Sequence, residues 1–99
     1  MKPKTNIINK SLEKDECISF LSRHGYSINK NEKDTIVLKK PGTTWTFYGK
    51  NMPMELTIFF QEDGTQLSLK YDAFALFDTG DLQEILLEIS SGLTQNEIN

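Results

Sequence analysis

Two stretches of this chain alternate apolar and polar residues with a period of two. Over 54–61, Met54, Leu56, Ile58 and Phe60 take one side of an extended segment, and Glu55, Thr57, Phe59 and Gln61 the other. Over 66–74, Leu67, Leu69, Tyr71 and Ala73 oppose Gln66, Ser68, Lys70, Asp72 and Phe74. Alternation of this length predicts half-buried antiparallel strands. Three shorter runs, 26–30, 35–40 and 44–50, read the same way. In 35–40, Ile36 and Leu38 share a face; in 44–50, Trp45 and Phe47 share one, with Thr44, Thr46 and Tyr48 on the other.

Turn residues predict how the strands pair. With Asp63-Gly64 as a two-residue hairpin turn, Phe60 meets Leu67, Ile58 meets Leu69, Leu56 meets Tyr71 and Glu55 faces Asp72. A turn at Asn51-Met52 sets Phe47 against Leu56 and Trp45 against Ile58. A turn at Pro41-Gly42 sets Leu38 against Trp45. Each turn matches apolar with apolar, and a slip by one residue would turn a whole strand inside out. The expected sheet is an antiparallel meander with Trp45 and Phe47 in the core.

The period then changes to that of a helix. Over 12–24, Cys17, Phe20, Leu21 and His24 fall at i, i+3, i+4 and i+7, with Ser11 as the expected cap and Glu13, Asp15 and Glu16 near the positive end of the dipole. Gly25 suits the left-handed residue that ends a helix, with Tyr26 folding back onto Leu21. Over 80–91, Leu82, Ile85, Leu86, Ile89 and the following Leu93 form a second stripe, with Asp78 or Thr79 as cap and Gly92 as the end. Residues 1–10 read as a flexible arm or short strand, 11–93 as the folded core and 94–99 as a frayed tail.

Two amphipathic helices are available to cover one apolar sheet face. The expected fold is therefore α+β: a two-layer sandwich of a four- to five-stranded antiparallel meander with both helices on one face, in the order (β)-α-β-β-β-β-α. In this order of elements, residues 5–93 resemble one repeat of the TATA-binding-protein-like architecture. The resemblance implies a fold and carries over no functional residue.

At 99 residues the chain makes one domain with a modest core. Cys17 is the lone cysteine, so no disulfide forms within the chain and a reducing, cytoplasmic setting is expected. No apolar run is long enough for a membrane span, and the first residues lack the apolar stretch of a secretory signal. The net charge of -3 conceals an asymmetry: residues 1–50 sum to +5 and residues 51–99, with Lys70 their single base, to -8. The simplest account places the two halves side by side.

Catalytic groups are sparse. His24, the single histidine, is placed to complement a helix C-terminus. It stands two turns, about 10 Å, from Cys17, too far for a nucleophile–base pair. No Cys/His spacing suits zinc, and no glycine-rich loop suits phosphate. The expectation is a non-enzymatic protein-interaction or regulatory module with no cofactor or metal. It would contact a protein partner or a second copy through an edge strand or through the outer sheet face, at Tyr48, Phe59, Lys70 and Phe74.

Three other placements bear on function. Glu55 opposite Asp72 suggests a receptor for a partner's cation, although two carboxylates alone are too few for Ca²⁺. Phe20, Trp45, Phe47, Phe60 and Tyr71 are bulky enough to line a site for a small apolar ligand between sheet and helices. Lys30, Lys33, Lys39, Lys40 and Lys50 form a candidate basic patch for nucleic acid. A single arginine and a nearly base-free outer face weigh against that last reading.

Overall fold

The alternating stretches form the central strands of a five-stranded antiparallel sheet. The computed structural model describes residues 2–42, 51–73 and 80–98. The elements are β1 (Lys4–Ile8), α1 (Lys14–Arg23), β2 (Ser27–Asn31), β3 (Thr35–Lys40), β4 (Met54–Gln61), β5 (Gly64–Tyr71) and α2 (Asp81–Ile98). The sheet runs β1-β5-β4-β3-β2. This is the expected α+β class and element order, and the N-terminal segment is a true strand beside β5.

Register departs from expectation in two places. In the β4–β5 hairpin, Leu56 pairs with Leu69, Ile58 with Leu67 and Phe60 with Thr65. The pairing is thus displaced by two residues from the Asp63-Gly64 prediction, and a displacement of two keeps every side chain on its expected face. Gln61 opposes Gly64, so Glu62 and Asp63 make the turn. No side-chain-bearing residue has positive φ among those described, and Gly64 is not left-handed either. It is drawn into the strand because β1 ends against it: a Cβ there would stand 3.2 Å from the Ile8 carbonyl oxygen.

The second correction concerns 44–50. β3 pairs directly with β4, Ile36 against Ile58 and Leu38 against Leu56. With β5 on its other side, β4 has no edge left for an intervening strand. The expected Trp45–Ile58, Phe47–Leu56 and Leu38–Trp45 pairs are therefore replaced. Trp45, Phe47 and Tyr48 themselves lie outside the described residues.

α1 begins two residues later than expected. Glu13 is its N-cap, without a side-chain cap bond, in place of Ser11. Its end follows the sequence. Gly25 has φ of 90°, the Gly25 amide donates to the Ser22 carbonyl (3.2 Å), and the Tyr26 amide to the Leu21 carbonyl (2.9 Å). This pair of bonds turns Tyr26 back under the helix, where it is buried.

Burial there pushes the Tyr26 phenol from 10.0 up to about 12. The neutral phenol is the form the fold favours. Its contribution to stability is complete below pH 10 and is lost as pH rises from 10 towards 12. Alkaline melts should show a loss on the order of 2 kcal/mol across that window, absent in Tyr26→Phe. An identical profile in the two proteins would contradict this.

α2 does not stop at Gly92. It continues to Ile98, through the region expected to fray. Gly92 sits inside it for steric reasons: a Cβ there would lie 2.3 Å from Phe20 Cζ. The glycine is the hollow that admits the Phe20 ring from α1.

Leu21, Ile36, Leu38, Leu56, Ile58, Leu67, Leu69, Leu82 and Leu86 have no exposed surface. They fill the space between one face of the sheet and the two helices. α2 lies over β1 and β5, while α1 packs against α2 and β2. Two polar residues fasten the layers. Asn6 Nδ2 donates to Ser90 Oγ (2.8 Å), which donates to the Leu86 carbonyl (2.8 Å), tying β1 to α2. The fully buried Thr65 hydroxyl accepts from the Leu12 amide (3.0 Å) and donates to the Lys10 carbonyl (2.9 Å), holding the β1–α1 connection to β5.

Candidate functional site

The sheet face turned away from the helices is built of rows that cross the strands. Ile7, Gln66, Phe59 and Thr35 are successive neighbours across β1, β5, β4 and β3. Thr5, Ser68, Thr57, Val37 and, on β2, Lys30 make the next row. Lys70, Glu55, Lys39 and Ser27 make the third. Period-two alternation put these side chains here; their apolar and aliphatic neighbours went to the core.

Two rows carry no formal charge from β1 to β3, and within them two large apolar side chains meet solvent. Ile7 is 61% exposed and Phe59 39%. They stand on either side of Gln66, so they belong to one patch. Val37, Thr57 and Ser68 are half-buried beside them. Ile7 could not be placed from sequence, because nothing local says that a strand at residues 4–8 pairs with one 60 positions later.

The third row alternates in sign. Lys70 Nζ lies 3.0 Å from Glu55 Oε2, and Lys39 Nζ lies 3.3 Å from Asp72 Oδ2. This corrects the expectation that Glu55 and Asp72 face each other. The two-residue displacement puts Lys70 opposite Glu55, and each carboxylate meets a lysine. Pairs this exposed contribute at most about 1 kcal/mol each to stability. Their consequence is a stripe of alternating charge and no shared carboxylate site. Among the described residues no group of three or more His, Cys, Asp and Glu is arranged to hold a metal ion.

The expected basic patch is divided. Lys30 and Lys39 are on the outer face, opposite Val37 and Glu55. Lys40 points to the helix side, its ammonium 5.7 Å from the Tyr26 ring centroid. Lys33 lies in the β2–β3 turn, where its carbonyl accepts from Lys14 Nζ (3.1 Å). Lys14 also donates to Asn31 Oδ1 (3.1 Å) and the Glu32 carbonyl, so α1 grips this turn. Lys50, Tyr48 and Phe74 lie outside the described residues. Of the proposed outer-face contacts, Phe59 and Lys70 are where the alternation put them.

Other sequence candidates have structural surroundings. Cys17 is buried. His24 is the α1 C-cap, its ring centroid 4.4 Å from that of Phe20. Tyr71 belongs to the core cluster and Phe60 packs against it. No described helix is long and apolar enough to cross a membrane.

Comparison with protein-family models, with curated proteins and with solved structures finds no match to this chain. The likeness to the TATA-binding-protein-like architecture is an expectation from element order alone.

Proposed function

We propose that this chain is a small non-enzymatic interaction module that pairs with a second copy of itself through the outer sheet face. The supporting observation is the uncharged patch centred on Phe59 and Ile7, on a sheet whose described helices both pack on the opposite side. A solvated β surface carries single apolar residues without consequence, but adjacent large ones in uncharged rows suit sheet-on-sheet packing.

Charge complementarity selects a second copy as the occupant. A two-fold axis parallel to the strands, between β4 and β5, lays β5 of one copy over β4 of the other. Lys70 then approaches Glu55 of the second copy, and the symmetry repeats that contact. The same operation brings Gln66 over Phe59 and Ile7 over Thr35. Thr57 and Ser68 then meet across the axis, between the covered Phe59 on one side and the Lys70–Glu55 contacts on the other.

Sedimentation equilibrium tests the reading. The native chain should self-associate at concentrations up to about 100 µM, and Phe59→Ser should weaken this by at least roughly tenfold. Lys70→Glu should weaken it through repulsion, and adding Glu55→Lys should restore it. A native chain that stays monomeric throughout, or association unchanged in Phe59→Ser, would overturn the proposal.

A further inference from the structure

On the other side of the molecule a groove runs between the two helices. Glu84, Leu87, Glu88, Ser91, Gly92 and Gln95 form its α2 wall, with Phe20 and His24 of α1 facing them across a volume of about 590 Å³. The wall residues follow i, i+3, i+4, i+7, i+8 and i+11. They make a straight stripe of about three turns, some 16 Å long. Leu87 is 51% exposed within it.

At its inner end the groove meets a more enclosed hollow of about 170 Å³. Leu21, Tyr26, Ile85 and Ile89 supply its apolar lining, Lys40 stands at its edge beside the Tyr26 ring, and Phe20, His24 and Glu88 border both spaces. A hollow this size admits one large side chain or a single ring, well below the volume that drug-sized ligands occupy. An open trough with one deep hole suits an amphipathic helix that lays an apolar face along the trough and inserts one anchor.

The charge around the trough specifies the helix further. α2 contains Asp81, Glu84, Glu88 and Glu97 and not one lysine or arginine. Glu84 and Glu88 belong to the groove wall, and α1 contributes only His24 and Phe20 to it. A partner helix with Lys or Arg flanking its apolar stripe would complement this wall, whereas an acidic helix would be repelled.

From this geometry we infer that the α1–α2 groove docks a basic amphipathic helix of a partner protein, with one large apolar side chain seated beneath Phe20 and His24. This surface is distinct from the sheet face, so the two can be tested apart. The probes are fluorescein-labelled helical peptides of about 16 residues, with Leu, Phe or Met anchors at i, i+3, i+4 and i+7. One set carries lysine flanks and the other glutamate.

Lysine-flanked members should bind the full chain with Kd in the micromolar range and weaken as salt rises; glutamate-flanked members should not bind. Leu87→Asp, at an exposed position, should weaken binding at least roughly tenfold, and Glu84→Lys with Glu88→Lys should transfer preference to the glutamate set. Phe59→Ser should leave binding intact, so failure of one surface is separable from failure of the other. Absence of binding by the whole lysine set would overturn the inference, as would binding indifferent to Leu87→Asp. Occupation of the hollow by single-ring compounds such as benzene or phenol without peptide binding would also overturn it, in favour of a small-ligand pocket.

Discussion

Replacing Thr65 with valine is expected to lower stability by about 3 kcal/mol, although the two side chains have nearly the same shape. The hydroxyl is completely buried and both accepts and donates. Valine leaves the Leu12 amide without its acceptor and the Lys10 carbonyl without its donor. A buried donor left unpaired costs about 1–3 kcal/mol, and the second lost bond adds about 1. Urea denaturation should show a lower midpoint with an unchanged slope, and the Leu12 amide should exchange much faster. Thr65→Ser is the control, since it keeps both hydrogen bonds and loses one methyl group. If valine is no worse than serine, Thr65 is ordinary packing and the link between β5 and the β1–α1 connection is unimportant.

The Phe20–Gly92 contact should be nearly as sensitive. Valine at 92 places methyl groups in the space of the Phe20 ring, whose Cζ, Cε2 and Cε1 would stand 2.3, 3.0 and 3.2 Å from a Cβ. Overpacking costs about 1–3 kcal/mol, and removing the ring from the helix interface exposes apolar area as well. A total near 3 kcal/mol corresponds to a fall in Tm of roughly 12–24 °C for a domain of this length. Gly92→Ala should be milder, near 1 kcal/mol, because alanine recovers about 1 kcal/mol of helix propensity that glycine forfeits. Combining Gly92→Val with Phe20→Ala should cost less than the sum of the single changes. Additive losses would show that ring and glycine do not share the space.

These residues also mark where sequence reasoning stops. Alternation in β4 and β5 correctly assigned faces, because side-chain direction is a local property of extended backbone. It therefore placed Phe59 and Lys70 outward and Leu56 and Leu69 inward. Register is not local. Asp63-Gly64 carries a strong turn signal, yet Gly64 serves the close approach of Ile8 from a distant strand. The ion-pair partners of Glu55 and Asp72 followed from register and shared its error.

Glycines show the same division. Gly25 ends α1 through bonds within six residues, and the sequence made that legible. Gly92 resembles a helix end, but its reason is an aromatic ring on the other helix. The candidate surfaces divide likewise. Phe59 was legible as an outward residue, whereas its exposed companion Ile7 became visible only through the pairing of β1 with β5. The helix groove depends on how α1 meets α2, and no pattern within either helix encodes it.

That long-range pairing has a consequence during synthesis. Lys4 finds its neighbour at Leu69, so β1 leaves the ribosome long before the strand it pairs with. At ordinary translation rates of about 5–20 residues per second, the delay is roughly 3–13 s. Throughout it the nascent chain carries Ile8 without the core it packs against and the edge of β1 without its partner, an opening that a chaperone or an aggregating neighbour can use first.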